Sequence, residues 1–197
     1  MLKSTIRLAL ATVVIAAIGA SQARADVLAY VGTTVGGPTW QRPIAGNPPT
    51  PPPSGVGTNV PYHVQPFFVK LSGTYSMQSA STIPAGWDNY TFLYQDTFSA
   101  GAPFTNVLIG NDDNPTIGLS GFNFALTAFT QYFLVTTGFG NTDEGAFTNT
   151  IQDVGNVFPS GTIMLGVPEP SPMALAGVAG LLGLLGRTAS RRFRKSA

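Results

Sequence analysis

Gly110-Asn111-Asp112-Asp113-Asn114-Pro115 places four oxygen-bearing side chains in a row. Carboxylate and amide oxygens are what a calcium ion takes as ligands, and binding outside a cell can rigidify a loop. Asn111, Asp112 and Asp113 are therefore the candidate metal ligands. Asp88, or Asp143 with Glu144, would complete the shell if their loops meet at one end of the fold. The spacing is not that of an EF-hand loop. The same residues also suit an Asx-rich turn with solvated charges, because Asn and Asp side chains bond their own backbone in turns.

Other chemistry finds less material. The chain has no cysteine, which excludes thiol catalysis, disulfides and a Cys-based zinc site, and a single histidine, His63, excludes a His-rich metal site. A Ser-His-Asp set would have to use His63, and no Gly-x-Ser-x-Gly elbow accompanies it. A glycosidase pair could be drawn from Asp88, Asp96, Asp112, Asp113, Asp143, Glu144 and Asp153, yet nearly all of these stand in turn contexts. No phosphate-binding loop or dinucleotide fingerprint is present. The residues point away from an enzyme. Trp40, Trp87, Tyr62 and Tyr90 fall near loops or strand ends, where a ring could stack on a sugar or simply pack.

The elements that would position these residues are strands. With 23 Gly, 16 Pro and 11% aromatic residues, the composition suits a turn-rich all-β protein better than a helical bundle. Val27–Val31 is a short β-like run. In "FFVKLSGTYSMQ", Phe67, Val69, Leu71, Tyr75 and Met77 share one parity, so the stretch is one half-buried strand or two broken near Ser72-Gly73. Asn89–Gln95, Thr105–Gly110, Gly121–Thr127, Gln131–Phe139 and Gly145–Ile151 follow, each bounded by turn residues. Seven or eight short strands predict an antiparallel β-sandwich, jelly-roll-like, with a closed barrel as the alternative. Eight prolines between Pro38 and Pro61 rule out a central strand there. Within the Pro-rich loop over 36–61, the Pro48–Pro53 portion is expected to be extended, partly polyproline II, and mobile.

Charge divides the chain into three parts. Residues 26–166 hold two basic residues, Arg42 and Lys70, against eight acidic ones, a net charge of −6, whereas both ends are basic. An acidic body argues against nucleic-acid binding, which draws on Lys and Arg to displace phosphate counterions. Residues 1–25 have the layout of a secretory leader. Lys3 and Arg7 precede an apolar run from Leu8 to Ala20, and Ala23-Arg24-Ala25 forms a small-x-small cleavage site. The apolar run is short for a membrane span, so cleavage after Ala25 is expected.

The other end, 167–197, begins Val167-Pro168-Glu169-Pro170-Ser171. Ser171-Pro172 suits a helix start, Met173 to Gly186 carries no charge, and Arg191, Arg192, Arg194 and Lys195 close the chain. From Pro172 to Ser190 a helix would be roughly 28 Å long, near the hydrocarbon thickness of a bilayer. The basic cluster would hold its end in the cytoplasm. By itself this stretch reads equally as a permanent anchor.

Motif, apolar helix and basic tail, in that order at the C-terminus, resemble the sorting region of PEP-CTERM proteins. The resemblance implies a Gram-negative bacterium that makes exopolysaccharide, and an exosortase in the inner membrane that recognises and removes the tail. Pro168, Glu169 and Pro170 would then be the recognition triplet, and Arg191, Arg192 and Arg194 the cytoplasmic stop. Trp87 to Ile151, with "NYTFLYQD", "GNDDN", "YFLVTTGF" and "GAFT", is similar to bacterial pre-peptidase C-terminal sandwich domains. That similarity implies a binding or stabilising accessory, sometimes with bound calcium, and not a catalytic unit. The expected protein is exported and non-enzymatic, associated with exopolysaccharide or biofilm. The alternative is a calcium-dependent carbohydrate-binding or adhesin module.

Overall fold

The computed structural model describes residues 26–155 and 158–167, and over these the protein is all β, with ten strands and no helix. No helix among the described residues is long and apolar enough to cross a membrane. The leader with Ala23 and Ala25, the triplet Pro168–Pro170, the apolar stretch and Arg191, Arg192 and Arg194 lie outside the described residues.

One antiparallel sheet is built from β1 (Val27–Thr33), β9 (Ala146–Asp153), β4 (Gly73–Ile83) and β7 (Leu119–Leu126), in that order. The second runs β10 (Ile163–Leu165), β3 (Val60–Val69), β8 (Tyr132–Gly138), β5 (Asn89–Gln95), β6 (Val107–Asn111), with β2 (Thr39–Trp40) pairing the start of β3. The two sheets pack face to face, the layering of a β-sandwich. Phe67, Leu93, Tyr132, Leu134 and Ile163 from one sheet meet Tyr75, Met77, Phe122, Leu126 and Ile151 from the other. Burying such side chains contributes about 1.5–3 kcal/mol each.

Alternation along the strands explains which residues enter that layer. Phe67, Val69, Tyr75 and Met77 are all fully buried, whereas Leu71, of the same parity, lies in the turn where the chain leaves one sheet for the other. The break near Ser72-Gly73 is thus a change of sheet. β3 begins at Val60, seven residues before the alternation becomes readable, because Pro61 and Pro66 interrupt its pattern. Only short strands cover its outer side, β2 at its start and β10 at its end, and prolines are tolerated on such partly covered strands.

The interior is divided lengthwise. Its apolar half lies toward the β3–β4 turn. The other half holds Ser79, Asn89, Thr91, Ser120, Thr136 and Asn149, all without solvent exposure. Buried polar groups need partners, and several are supplied here. The Asn89 amide donates to Ser79 Oγ at 2.9 Å, and the Asn149 amide donates to Thr136 Oγ1 at 2.9 Å and to the Tyr30 hydroxyl at 2.8 Å.

The Pro-rich loop packs on the body. It folds back over the outer face of the second sheet and builds a second apolar cluster there. Trp40 packs with Val60, Tyr90, Phe92, Tyr94 and Val135, its ring edge-on to Phe92 at 5.5 Å between centroids. The Trp40 indole N–H donates to Thr137 Oγ1 at 3.1 Å. The loop is closed by backbone bonds, Arg42 N–H to the Gly57 carbonyl and Ser54 N–H to the Arg42 carbonyl, and a bridge joins Gly46 to Gly110. Proline removed the regular ladder without removing the packing: Trp40, Arg42, Pro43 and Pro49 are buried, while Pro38, Pro48, Pro51 and Pro52 are exposed.

Asp26 opens the described chain and is already part of the fold. Its carboxylate accepts from the Gly161 and Ile163 amides at 3.1 and 2.8 Å, tying β10 to the start of β1.

Candidate functional site

Three connections converge at the end of the body holding the polar half of the core: 84–88 before β5, 112–118 after β6 and 139–145 after β8. Trp87 fixes the first. Its indole N–H donates to the Ala146 carbonyl at 2.8 Å, and the ring lies so close to Gly145 that a Cβ there would come within 2.5 Å of Trp87 Cδ1. Asp88 follows, its carbonyl accepting from Phe139 N–H at 2.9 Å. Asn114 closes the second connection, donating from Nδ2 to the Gly121 carbonyl at 2.9 Å and from its backbone N–H to the Leu119 carbonyl at 2.6 Å. Asp112 and Asp113 project from that turn.

Asp88, Asp112 and Asp113 each bring a carboxylate oxygen to a common place, all within 4.8 Å of one another. Asp88 Oδ1 and Asp112 Oδ1 are buried and accept no hydrogen bond. Burial first, and then the carboxylates of Asp112, Asp113 and Asp143, push Asp88 up to about 6, while Arg42 opposes the shift. Burial and the Asp113 charge likewise push Asp112 up, again against Arg42. Carboxylates held in mutual repulsion, with acceptors left bare, suit a hard cation. Calcium at this place would draw its remaining oxygens from water or backbone.

Of the other residues singled out by sequence, Asn111 ends β6 with its Oδ1 accepting from the Gly121 amide at 3.4 Å, so its side chain is engaged with backbone. Asp143 caps its own turn, accepting from Gly140 N–H at 2.7 Å, and Glu144 stands in the same connection outside the three-carboxylate group. Asp96 occupies a left-handed turn position, φ 62°, at the opposite end of β5. His63 packs edge-on against Phe147 with ring centroids 5.4 Å apart, and burial holds its pKa down. Trp40, Trp87 and Tyr90 are buried in the body, which leaves their faces no room for a sugar; Tyr62 alone of the four keeps partial exposure.

Arg42 was not legible as part of this site. The residue is 2% exposed, and its guanidinium lies 4.0 Å from the Tyr90 ring centroid and donates to the carbonyls of Pro43, Gly138 and Phe139. It is a buried cation beside the acid cluster, offsetting part of the charge and fastening the Pro-rich loop to the 139–145 connection. The available signal was its isolation, as one of two basic residues in an acidic body. Compared with known proteins, the chain matches no family model and no curated protein.

Proposed function

We propose that this is an exported, non-enzymatic envelope or extracellular-matrix protein of a Gram-negative bacterium. The leader directs export, an exosortase processes the Pro168-Glu169-Pro170 tail in the inner membrane, and the body associates with exopolysaccharide or biofilm. The observation that supports this most is that Asp26, the first residue after the expected cleavage site, is already engaged in the fold, its carboxylate accepting from the Gly161 and Ile163 amides. β10 runs antiparallel to β3 from beside Val69 toward Phe67, and Gly166 N–H donates to the Pro66 carbonyl at 2.8 Å, so the chain is leaving the Val69 end when it reaches Val167. Asp88 and Asp112 lie beyond the opposite ends of β5 and β6. Setting aside the two short strands β2 and β10, the sheet orders support reading the sandwich as a jelly roll. The packing of His63 against Phe147 supports a structural role for the one histidine. Glu169→Ala should leave an unprocessed, membrane-bound precursor in place of the released form, seen by fractionation and mass. Unchanged processing would discard recognition of the tail.

A second reading, a calcium-dependent carbohydrate-binding or adhesin module, is favoured by the three carboxylates and their two bare oxygens. Millimolar calcium should then raise the melting temperature and promote polysaccharide pull-down, and Asp88→Asn should abolish both effects. A melting temperature indifferent to calcium removes the metal from this reading.

A further inference from the structure

The connection between β7 and β8 presents Phe129, 64% exposed, at a φ of 58°. Glycine or asparagine would adopt that left-handed conformation with less strain. A phenylalanine held there, its amide bonded to the Val69 carbonyl at 2.8 Å and its ring directed outward, does little for the core. Its ring lies 6.4 Å from that of Phe68, and with Met164, Leu165 and Val167 the two line an apolar groove of about 400 Å³. Lys70 borders the groove and is the one exposed basic residue among those described. Val167 is followed directly by Pro168, and the uncharged stretch begins at Met173. Six residues span at most roughly 20 Å, so a tail in a bilayer would hold this groove close to the bilayer surface.

We propose that the groove is a docking surface for an anionic membrane, with Phe129, Leu165 and Val167 entering the interfacial layer and the Lys70 ammonium meeting lipid phosphates. The proposal rests on the reading that the tail inserts in the membrane. It adds that the body lies against the lipid, which keeps Pro168–Pro170 at headgroup level, within reach of a membrane-embedded processing enzyme. The three-carboxylate group is at the other end of the body; at the docking end Asp26 and Asp153 are buried, Asp26 being bonded to the Gly161 and Ile163 amides, and Asp96 is exposed on the β5 side away from Lys70.

The absence of cysteine allows a clean test. Phe129→Cys, Val167→Cys and, as the control, Ile117→Cys each take one environment-sensitive fluorophore in the full chain. Ile117 is 61% exposed and lies past the opposite end of β7, roughly 25 Å from the β7–β8 connection. The labelled chains are reconstituted into vesicles of phosphatidylethanolamine and phosphatidylglycerol. Probes at 129 and 167 should shift to the blue and be quenched by iodide about threefold less than the probe at 117. Lys70→Glu should weaken the shift in these vesicles and leave it unchanged in phosphatidylcholine. Equal quenching at all three positions, in protein that floats with the vesicles, overturns the docking surface while sparing the tail reading. Protein that does not float overturns the tail reading and the proposal with it. A blue shift at 129 that grows with protein concentration in the absence of vesicles assigns the groove to a protein partner and also overturns the proposal.

Discussion

Arg42→Ala should lower the unfolding free energy of the body by ~4 kcal/mol, measured by chemical denaturation. The carbonyls of Pro43, Gly138 and Phe139 would lose their donors, and the Tyr90 and Phe139 rings would lose the cation over their faces. Each buried acceptor left bare costs on the order of 1–3 kcal/mol, and water entering the gap recovers part of it. The excised side chain also leaves a hole beside Gly57, which approaches the arginine so closely that a Cβ there would lie 2.6 Å from Arg42 Nε. Arg42→Lys should recover less than half of the loss, since one ammonium cannot reproduce the planar fork. A loss below about 1 kcal/mol for Arg42→Ala would mean that the loop is held by Trp40 alone.

The second large effect is at the acid cluster. The pKa of Asp88 in the folded protein is raised to about 6 from an ordinary 3.8. The folded state therefore holds its proton more tightly than the unfolded chain. The associated stability is fully present below pH 3.8 and is lost as pH rises through about 6. In chelator, the wild-type body should lose stability over that window. Asp88→Asn should flatten the decline and be the more stable protein at pH 7, by on the order of 1–2 kcal/mol once solvent screening of a partly exposed carboxylate is allowed for. Asp112, raised for the same reasons, leaves a residual slope. With calcium the order should reverse. A ligand at a hundredfold excess over its dissociation constant stabilises by about 2.7 kcal/mol, and only the wild type has the site. Thermal melts against pH, with and without calcium, read both halves. An Asp88→Asn variant less stable than wild type at pH 7 in chelator would contradict the account of repelling carboxylates.

How far the sequence reveals this molecule depends on what each segment packs against. Asn89–Gln95 is legible to the residue, because an uninterrupted aromatic and β-branched run between turn residues suits a strand buried on both faces. β3 is legible only from Phe67, where alternation starts after Pro66. The Pro-rich loop reads as open chain because local rules see the missing amides and not the distant sheet face that Trp40 and Arg42 cover. In the site, Asp112 and Asp113 stand out as neighbours, and the arrival of Asp88 is conditional on loops meeting, which only tertiary structure decides. Asn111 illustrates the converse. Its oxygen is equally suited to a metal by type, and the nearby Gly121 amide claims it. The polar half of the core is hidden for a related reason. Ser79, Asn89, Ser120 and Asn149 follow the same parity as the apolar inward residues, and polarity alone would assign them to the solvent face.

The most direct measurement of the central claim, export followed by removal of the tail, is the intact mass of the protein recovered from the envelope and medium of the producing cell. The account predicts a chain that starts at Asp26, whose carboxylate is already engaged with the Gly161 and Ile163 amides, and that lacks the residues beyond the Pro168–Pro170 region. A mature protein whose mass retains both the leader and the arginine-rich tail would contradict it.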